Sequence, residues 1–277
     1  MPNKPAPGKP FIDLQSTHNP HRWYLPVTDE ISVGPDGRQF LFGGVGLASS
    51  VMAMERTCER PVVWATAQYL SYARVPATVD LDVLVPVAGK YNSQARVKGR
   101  VGDTEIFTVN AALGERPSEL SHQWAVMPQV ARPEDCEARP RHAKRHQGVS
   151  LHSGTDVRVV KGRYGIGLSD GEFSEDGHVQ LWAKLKNGHA IDTAALCIFA
   201  DFLPSAVGNA IGMDAGGNSL DNTIRFRQVV PTEWVLCDIQ IHSVHGGFVH
   251  GRMHLFAEDG TLMASASQSM ILRIHKE

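Results

Sequence analysis

The chain has 277 residues, enough for one large domain or two domains of ordinary size with substantial cores. Its 27 basic and 29 acidic residues leave a net charge of −2, so the overall charge does not attract nucleic acid or anionic lipid. Four cysteines lie far apart, at Cys58, Cys136, Cys197 and Cys237. They include no CxxC pair, which argues against a zinc knuckle and a disulfide framework and fits a reducing cytoplasm.

The N-terminal residues predict a tail outside any folded unit. The opening run MPNKPAPGKPF is rich in proline and lacks an apolar core segment, so residues 1–20 are expected to be disordered. No later run approaches the length needed to cross a bilayer. We therefore expect a cytoplasmic protein without a membrane span.

Residues 21–114 predict one folded unit, a helix followed by an antiparallel meander. RWYLPV reads as a short strand, and small and apolar residues recur at helical spacing from Val45 to about Arg56, directly after Gly43 and Gly44. Turn signals then separate four extended runs: VVWATAQYLSYAR, TVDLDVLVPV, YNSQARVKGRV and TEIFTVNAAL.

Residues 115–153 predict a linker, and residues 154–277 a second unit with the same order of elements. The linker carries a basic cluster that is expected to be solvated rather than phosphate-binding, formed by Arg139, Arg141, Lys144 and Arg145. In the second unit, AIDTAALCIFADFLPSAVG predicts a helix with Asp192 as N-cap and Pro204 near its end, and extended segments follow.

Short matches between the two units indicate an internal duplication. Pro76 aligns with Pro231, Gly102 with Gly260, and Asn110 with Gln268. Internal repeats fix the architecture. The sequence therefore predicts an α+β fold of two tandem units, each a central helix wrapped by an antiparallel sheet.

Two polar residues interrupt apolar strand faces in the second unit. Gln268 shares its parity with a set of apolar residues, Ala264, Ala266, Met270 and Leu272, and Ser243 shares its parity with Ile239 and Ile241. A buried amide or hydroxyl without a partner costs roughly 1–3 kcal/mol, so each needs something to bind. These groups either satisfy backbone atoms near the sheet ends or hold a reacting water.

Asp221 is the natural third member of such a group, because NSLDNTIRFR places it at the start of a neighbouring strand. Its parity is opposite to that of Ile224 and Phe226, so a bulge or irregular strand start would be needed to aim it at Gln268. The alternative is that Asp221 caps a turn.

Two further patterns in the sequence bear on binding chemistry. His242, His250 and His254 share parity, but a glycine turn separates them and no metal-ligand spacing is present, so no metal site is expected. Gly43 and Gly44 precede a helix without a nucleotide-binding frame. The free N–H groups of that helix start could still hold an oxyanion or a carbonyl oxygen.

The runs FGGVGLASSVMAMERT, LDNTIRFRQVVPTEWVL and GFVHGRMHLFAEDGTLMASASQSMILR, together with the duplication, resemble the type II acyl-CoA thioesterases. The likeness extends from about Trp23 to Arg273, and it implies two tandem hotdog units, a double hotdog. In that family an Asp, a Thr and a Gln hold the hydrolytic water. The resemblance places them at Asp221, at Gln268, and within IHSVHG, where either Ser243 or His242 falls.

The resemblance implies hydrolysis of an acyl-CoA thioester without a cofactor. Asp221 would act as the base on a water held by Gln268 and Ser243, and the Gly43 and Gly44 amides would receive the carbonyl oxygen. It also implies a homo-oligomer. Two alternatives stay open: an enoyl-thioester hydratase or dehydratase of hotdog type, and a non-catalytic acyl-CoA-binding protein.

Overall fold

The computed structural model describes residues 10–138, 148–165, 173 and 176–275. The predicted basic cluster Arg139, Arg141, Lys144 and Arg145 lies outside the described residues, as do residues 1–9 of the predicted tail over residues 1–20. Within the rest of that tail, Ile12 and Leu14 are buried.

The first half of the chain contains one long helix and eight strands. They are β1 (Gln15–Ser16), β2 (Arg22–Val27), β3 (Ser32–Val33), β4 (Phe40–Leu41), α1 (Gly43–Cys58), β5 (Val62–Tyr69), β6 (Ala77–Ala88), β7 (Asn92–Val101) and β8 (Thr104–Gly114). The helix and the five longer strands were all predicted from periodicity and turn signals.

The second half repeats this order. Its elements are β9 (Thr155–Lys161), β10 (His178–Leu185), α2 (Thr193–Ala200), α3 (Val207–Ile211), β11 (Ala215–Ser219), β12 (Asp221–Phe226), β13 (Val235–His245), β14 (Phe248–Ala257) and β15 (Leu262–Ile274). The predicted N-cap of α2 is confirmed, since the Asp192 carboxylate accepts the Ala195 N–H.

One antiparallel sheet joins both halves, with strand order β1-β2-β6-β7-β8-β5-β12-β15-β14-β13-β10-β9, while β11 pairs with β15 outside this path. The order is symmetric about the β5–β12 pair. Outward from this pair, the strands β8, β7, β6, β2 and β1 on one side correspond to β15, β14, β13, β10 and β9 on the other. The halves meet where β5 pairs with β12, and there Thr66 and Thr223 are hydrogen-bonded through their hydroxyls at 2.7 Å.

The predicted alignment of Asn110 with Gln268 is wrong by one residue. Asn110 is exposed on β8, where its Oδ1 accepts the Arg96 Nε–H, whereas Gln268 is buried on β15. The flanking residues Val109 and Ala111 are the buried ones on β8. A β-bulge moves the side chains that follow it to the opposite face of the strand. Counting residues from a turn glycine therefore does not predict which face a residue occupies.

Both helices, α1 and α2, pack against one face of the sheet and share a single apolar core with it. This core contains Leu47 and Val51 of α1 and Leu196 and Phe199 of α2. A smaller apolar cluster lies on the outer face of the second half, where part of segment 115–138 packs. There Trp182 donates its indole N–H to the Ala131 carbonyl oxygen at 2.9 Å.

By length and composition alone, one helical stretch among the described residues, Thr193–Ile211, is apolar enough to cross a membrane, with a mean hydropathy of 1.6. Sequence inspection misses this stretch because Asp201 and Pro204 interrupt it. Within the protein, 78% of the stretch is buried, as expected of a helix in the core of the fold.

Candidate active site

A buried carboxylate, Asp201, lies at the contact between the two helices. It is the C-cap residue of α2 and is only 4% exposed. Its Oδ2 accepts the Gly44 N–H at 2.7 Å, from the first turn of α1 in the other half of the chain. A helix N-terminus carries partial positive charge and free N–H groups, so it stabilises an anion there.

Gln268 and Ser219 surround the other oxygen of this carboxylate. Gln268 Nε2 donates to Asp201 Oδ1 at 2.6 Å and to Ser219 Oγ at 2.7 Å, and Ser219 Oγ donates to Asp201 Oδ1 at 3.2 Å. An ionised carboxylate accepts hydrogen bonds but cannot donate them, so the Gln268 amide must present its nitrogen to Asp201. Its Oε1 is consequently turned away, and it is buried without a hydrogen bond to any described residue.

The local strand geometry explains why Ser219 reaches this site. β11 ends at Ser219 and β12 begins at Asp221, and both pair with β15, so the chain is irregular at Leu220. This irregularity brings Ser219 to Gln268, and the next inward-facing residue is Asn222, which is fully buried. Regular alternation would not place residues three apart on one face.

Burial governs the protonation of Asp201. Desolvation raises its pKa from the ordinary value of 3.8 to about 6, against the opposing effect of hydrogen bonds from Gln268, Gly44 and Ser219. The carboxylate is therefore ionised at neutral pH and close to its titration range. A carboxyl group in this state can accept a proton from water.

The structure brings together only part of the predicted site. Gln268 is 3% exposed and lies in the Asp201 cluster, and Gly44 contributes its N–H. A Cβ built on Gly43 would lie 2.7 Å from Asp201 Oδ2, so Gly43 borders the same carboxylate. Gly44 therefore serves the carboxylate and is not available to a carbonyl oxygen.

Asp221 and Ser243 are not brought to Gln268. Asp221 Oδ1 accepts the backbone N–H of Ser269 at 2.7 Å, so its carboxylate binds the β15 backbone. The expectation that Ser243 shares the buried face of Ile241 is wrong, because the register of β13 and β14 shifts between these two residues and Ser243 is exposed. The catalytic roles of Asp221 and Ser243 stay predictions.

Asp201 and Ser219 were missed by sequence reasoning. The signal for Asp201 was an acid at the C-terminal end of an apolar helix, between Ala200 and Phe202, where the helix dipole disfavours negative charge. Ser219 stood two residues before Asp221, in the same short run. Its side chain could not be placed without knowing that the chain is irregular at Leu220.

Comparison with known proteins identifies the family. Residues 133–272 match the acyl-CoA thioesterase C-terminal domain. A protein from Novosphingobium aromaticivorans, provisionally described as a thioesterase, is 33% identical, with a TM-score of 0.84 over 94% of this chain and 98% of that chain. Acyl-CoA thioesterase II from Mycobacterium marinum is 21% identical, with a TM-score of 0.70 over 95% of this chain and 97% of that chain.

A hotdog-fold protein of unknown function from Alicyclobacillus acidocaldarius is 18% identical, with a TM-score of 0.81 over 95% of this chain and 96% of that chain. No curated protein sequence matches the chain significantly. The structural likeness below 25% identity establishes the hotdog fold, and the family match together with the 33% identity confirms the resemblance seen in the sequence. The chain belongs to the acyl-CoA thioesterase family, and its reaction is hydrolysis of an acyl-CoA thioester.

Proposed function

We propose that the chain hydrolyses acyl-CoA with a water activated by Asp201 and oriented by Gln268. The observation that carries this proposal is the buried, ionisable Asp201 carboxylate held between the α1 N-terminus and Gln268. In this proposal Asp201 takes the role that the sequence assigned to Asp221, and Ser219 takes the role assigned to Ser243.

Hydrogen-bond capacity supports this assignment. A carboxylate has about four acceptor positions, and Asp201 uses three of them for hydrogen bonds of ordinary geometry from Gly44, Ser219 and Gln268. The fourth position is on Oδ2, the oxygen that Gly43 borders. Gln268 Oε1 is a second acceptor without a partner among the described residues. A water that donates to both acceptors would direct its lone pair away from them, toward a substrate carbonyl carbon.

The chemical step then follows in a balanced form. Asp201 Oδ2 accepts a proton from the water while the water oxygen bonds to the thioester carbonyl carbon, and the carbonyl oxygen becomes an oxyanion. Collapse of this intermediate breaks the carbon–sulfur bond and releases the CoA thiolate, which takes the proton from Asp201. The products are the free carboxylic acid and CoA. Gly43, as the first residue of α1, has no intrahelical acceptor for its N–H and borders the site, so it supports binding of the carbonyl oxygen.

A matched pair of variants tests the base. Asp201→Asn should lower kcat by about 10²–10⁴-fold, the range expected for loss of a general base, whereas Asp221→Asn should stay within a few-fold of wild type. Release of free thiol from a panel of acyl-CoA substrates measures both. The reverse ranking would restore Asp221 as the base.

The same assay separates the remaining possibilities. Ser219→Ala and Ser243→Ala compare the two candidate hydroxyls, and only Ser219→Ala is expected to slow thiol release. A wild-type protein that changed the absorbance of an enoyl-CoA without releasing thiol would be a hydratase. One that bound acyl-CoA without either change would be a non-catalytic binder.

The two halves of the sheet support a finer description of the fold as two tandem hotdog units, because strand order and helix position repeat in them. We further propose a homo-oligomer in a reducing compartment such as the cytoplasm. Three exposed apolar side chains, Leu120, Trp124 and Val126, support self-association, and four free cysteines suit a reducing compartment. Sedimentation analysis and cell fractionation test these two points.

A further inference from the structure

Tyr69 brings a hydroxyl group to the site from the first half of the chain. It is the last residue of β5, and its N–H donates to the Leu220 carbonyl oxygen at 3.0 Å, beside Ser219. A Cβ built on Gly43 would lie 3.1 Å from Tyr69 Cζ and 2.7 Å from Asp201 Oδ2. The hydroxyl-bearing end of the ring and the carboxylate therefore border the same point at the start of α1.

The Tyr69 hydroxyl oxygen is buried and makes no hydrogen bond of ordinary geometry with any described residue. The amide of Asn222, which is 0% exposed, also makes no hydrogen bond of ordinary geometry within the described chain. Weaker hydrogen bonding from its side chain nevertheless lowers the pKa of Tyr69 and of Asp201, so it lies close to both groups. Buried polar side chains without a well-formed hydrogen bond are costly in a folded protein, so the Tyr69 hydroxyl can still donate to a substrate oxygen.

The protonation state of Tyr69 suits a hydrogen-bond donor. Burial raises its pKa well above the ordinary value of 10, and electrostatic interaction with Asp201, Cys197 and Asp221 raises it further. The hydroxyl therefore keeps its proton at neutral pH, where Asp201 is ionised. A neutral donor next to a carboxylate base can face an oxygen that becomes negative during the reaction.

We propose that Tyr69 is a further catalytic residue, whose hydroxyl donates a hydrogen bond to the carbonyl oxygen of the thioester. This inference rests on the proposed function, because it needs the water to attack beside Asp201. The carbonyl oxygen would lie between the Tyr69 hydroxyl and the Gly43 N–H, and the hydrogen bonds would strengthen as the oxyanion forms. One half of the chain thus supplies the oxyanion donors and the other half supplies the base.

Tyr69→Phe tests the proposal, because it removes the hydroxyl and keeps the ring. We expect kcat to fall about 10²–10³-fold, the usual effect of losing one oxyanion donor, with little change in KM. Thermal stability should be unchanged or higher, because the hydroxyl that is removed is buried and makes no hydrogen bond of ordinary geometry. Binding of a CoA thioether that lacks the carbonyl group, measured by calorimetry, should be unchanged.

Tyr72→Phe is the matched control. Tyr72 is exposed, and its hydroxyl accepts the Asn218 amide at 2.9 Å, so its loss should leave kcat within about twofold. Wild-type turnover in Tyr69→Phe beside an active wild type would overturn the Tyr69 role alone. A lower kcat accompanied by a shift in the acid limb of the pH profile would overturn it in favour of a residue that positions Asp201. A wild type that released no thiol would overturn the proposed function and the Tyr69 role together.

Discussion

The chemistry of the candidate site depends on Asp201, whose ionised form is stabilised by hydrogen bonds and destabilised by burial. Asp201 accepts three hydrogen bonds, including one from the N-terminus of a 16-residue helix, yet burial dominates and leaves its pKa at about 6. A fully solvated aspartate would be a weaker base, and a buried one without partners would stay protonated at neutral pH. The balance between these effects gives a carboxylate that is both ionised and basic.

This balance predicts a pH-dependent contribution to stability. Because the pKa of Asp201 is raised in the folded state, folding is favoured by protonation, so the contribution is fully present below about pH 4 and is lost as the pH rises through about 6. The shift from 3.8 to about 6 corresponds to about 3 kcal/mol. The free energy of unfolding of Asp201→Asn, relative to wild type, should increase by up to this amount from about pH 4 to about pH 7.

Urea unfolding of both proteins across this range measures the difference. A difference that stays constant with pH would show that Asp201 titrates as it does in the unfolded chain. In the same range, kcat/KM of the wild type should rise with pH and level off above about 6, since the ionised form is the active base.

At the scale of elements, regular periodicity was predictable and departures from it were not. Small and apolar residues predicted α1, and alternation correctly placed Gln268 on the buried face of β15. The irregularity at Leu220 and the bulge after Ile241 place the Ser219 and Ser243 hydroxyls on faces other than those that regular alternation predicts. Such irregularities depend on pairing between distant strands, which a single sequence does not reveal.

The same limit applies to the contact between α1 and α2. Each helix was predicted within its own unit, but the close approach that joins Gly44 to Asp201 depends on how the two units pack. Residues 157 positions apart in the chain form this hydrogen bond. Sequence patterns identify the elements, whereas the site arises where elements of different halves meet.

Gly44→Ala should separate the two helices. A Cβ at this position would lie 2.9 Å from Asp201 Cβ and 3.0 Å from the Cys197 carbonyl oxygen, and neither atom belongs to a flexible side-chain end. Overpacking of this kind costs about 1–3 kcal/mol, more than the roughly 1 kcal/mol that alanine gains over glycine in a helix. We expect lower thermal stability and a lower kcat, because Asp201 must move away from the α1 N-terminus.

Thermal unfolding and thiol release measure the two effects of Gly44→Ala. Gly148→Ala is the control, since its Cβ would approach nothing closer than 3.7 Å. A Gly44→Ala protein as stable and active as wild type would show that the helices adjust without moving Asp201.

At the scale of the whole molecule, the two halves of the chain contribute different groups to the candidate site. The buried face of β15 carries Gln268 between Ala266 and Met270, whereas the corresponding face of β8 carries only apolar residues around Val109 and Ala111. The first half has instead kept the helix start and Tyr69 that border Asp201. Neither half alone contains all the groups of the candidate site.

The two halves also depend on each other for stability. Besides the pairing of β5 with β12, Glu55 of α1 accepts the hydroxyl of Thr193 at the start of α2 at 3.0 Å, and one apolar core includes residues of both helices. Chains of this length often unfold through intermediates. The shared core and continuous sheet predict instead that both halves unfold in one transition.

Two substitutions, one in each half, test this prediction. Leu81 on β6 and Leu181 on β10 are both fully buried, so Leu81→Ala and Leu181→Ala should each lower the free energy of unfolding by about 2–5 kcal/mol. Because the halves share one core, each variant should shift a single urea transition, with far-UV circular dichroism, tryptophan fluorescence and thiol release changing together. Independent halves would give two transitions, and each substitution would then move only the transition of its own half while the other stayed at the wild-type midpoint.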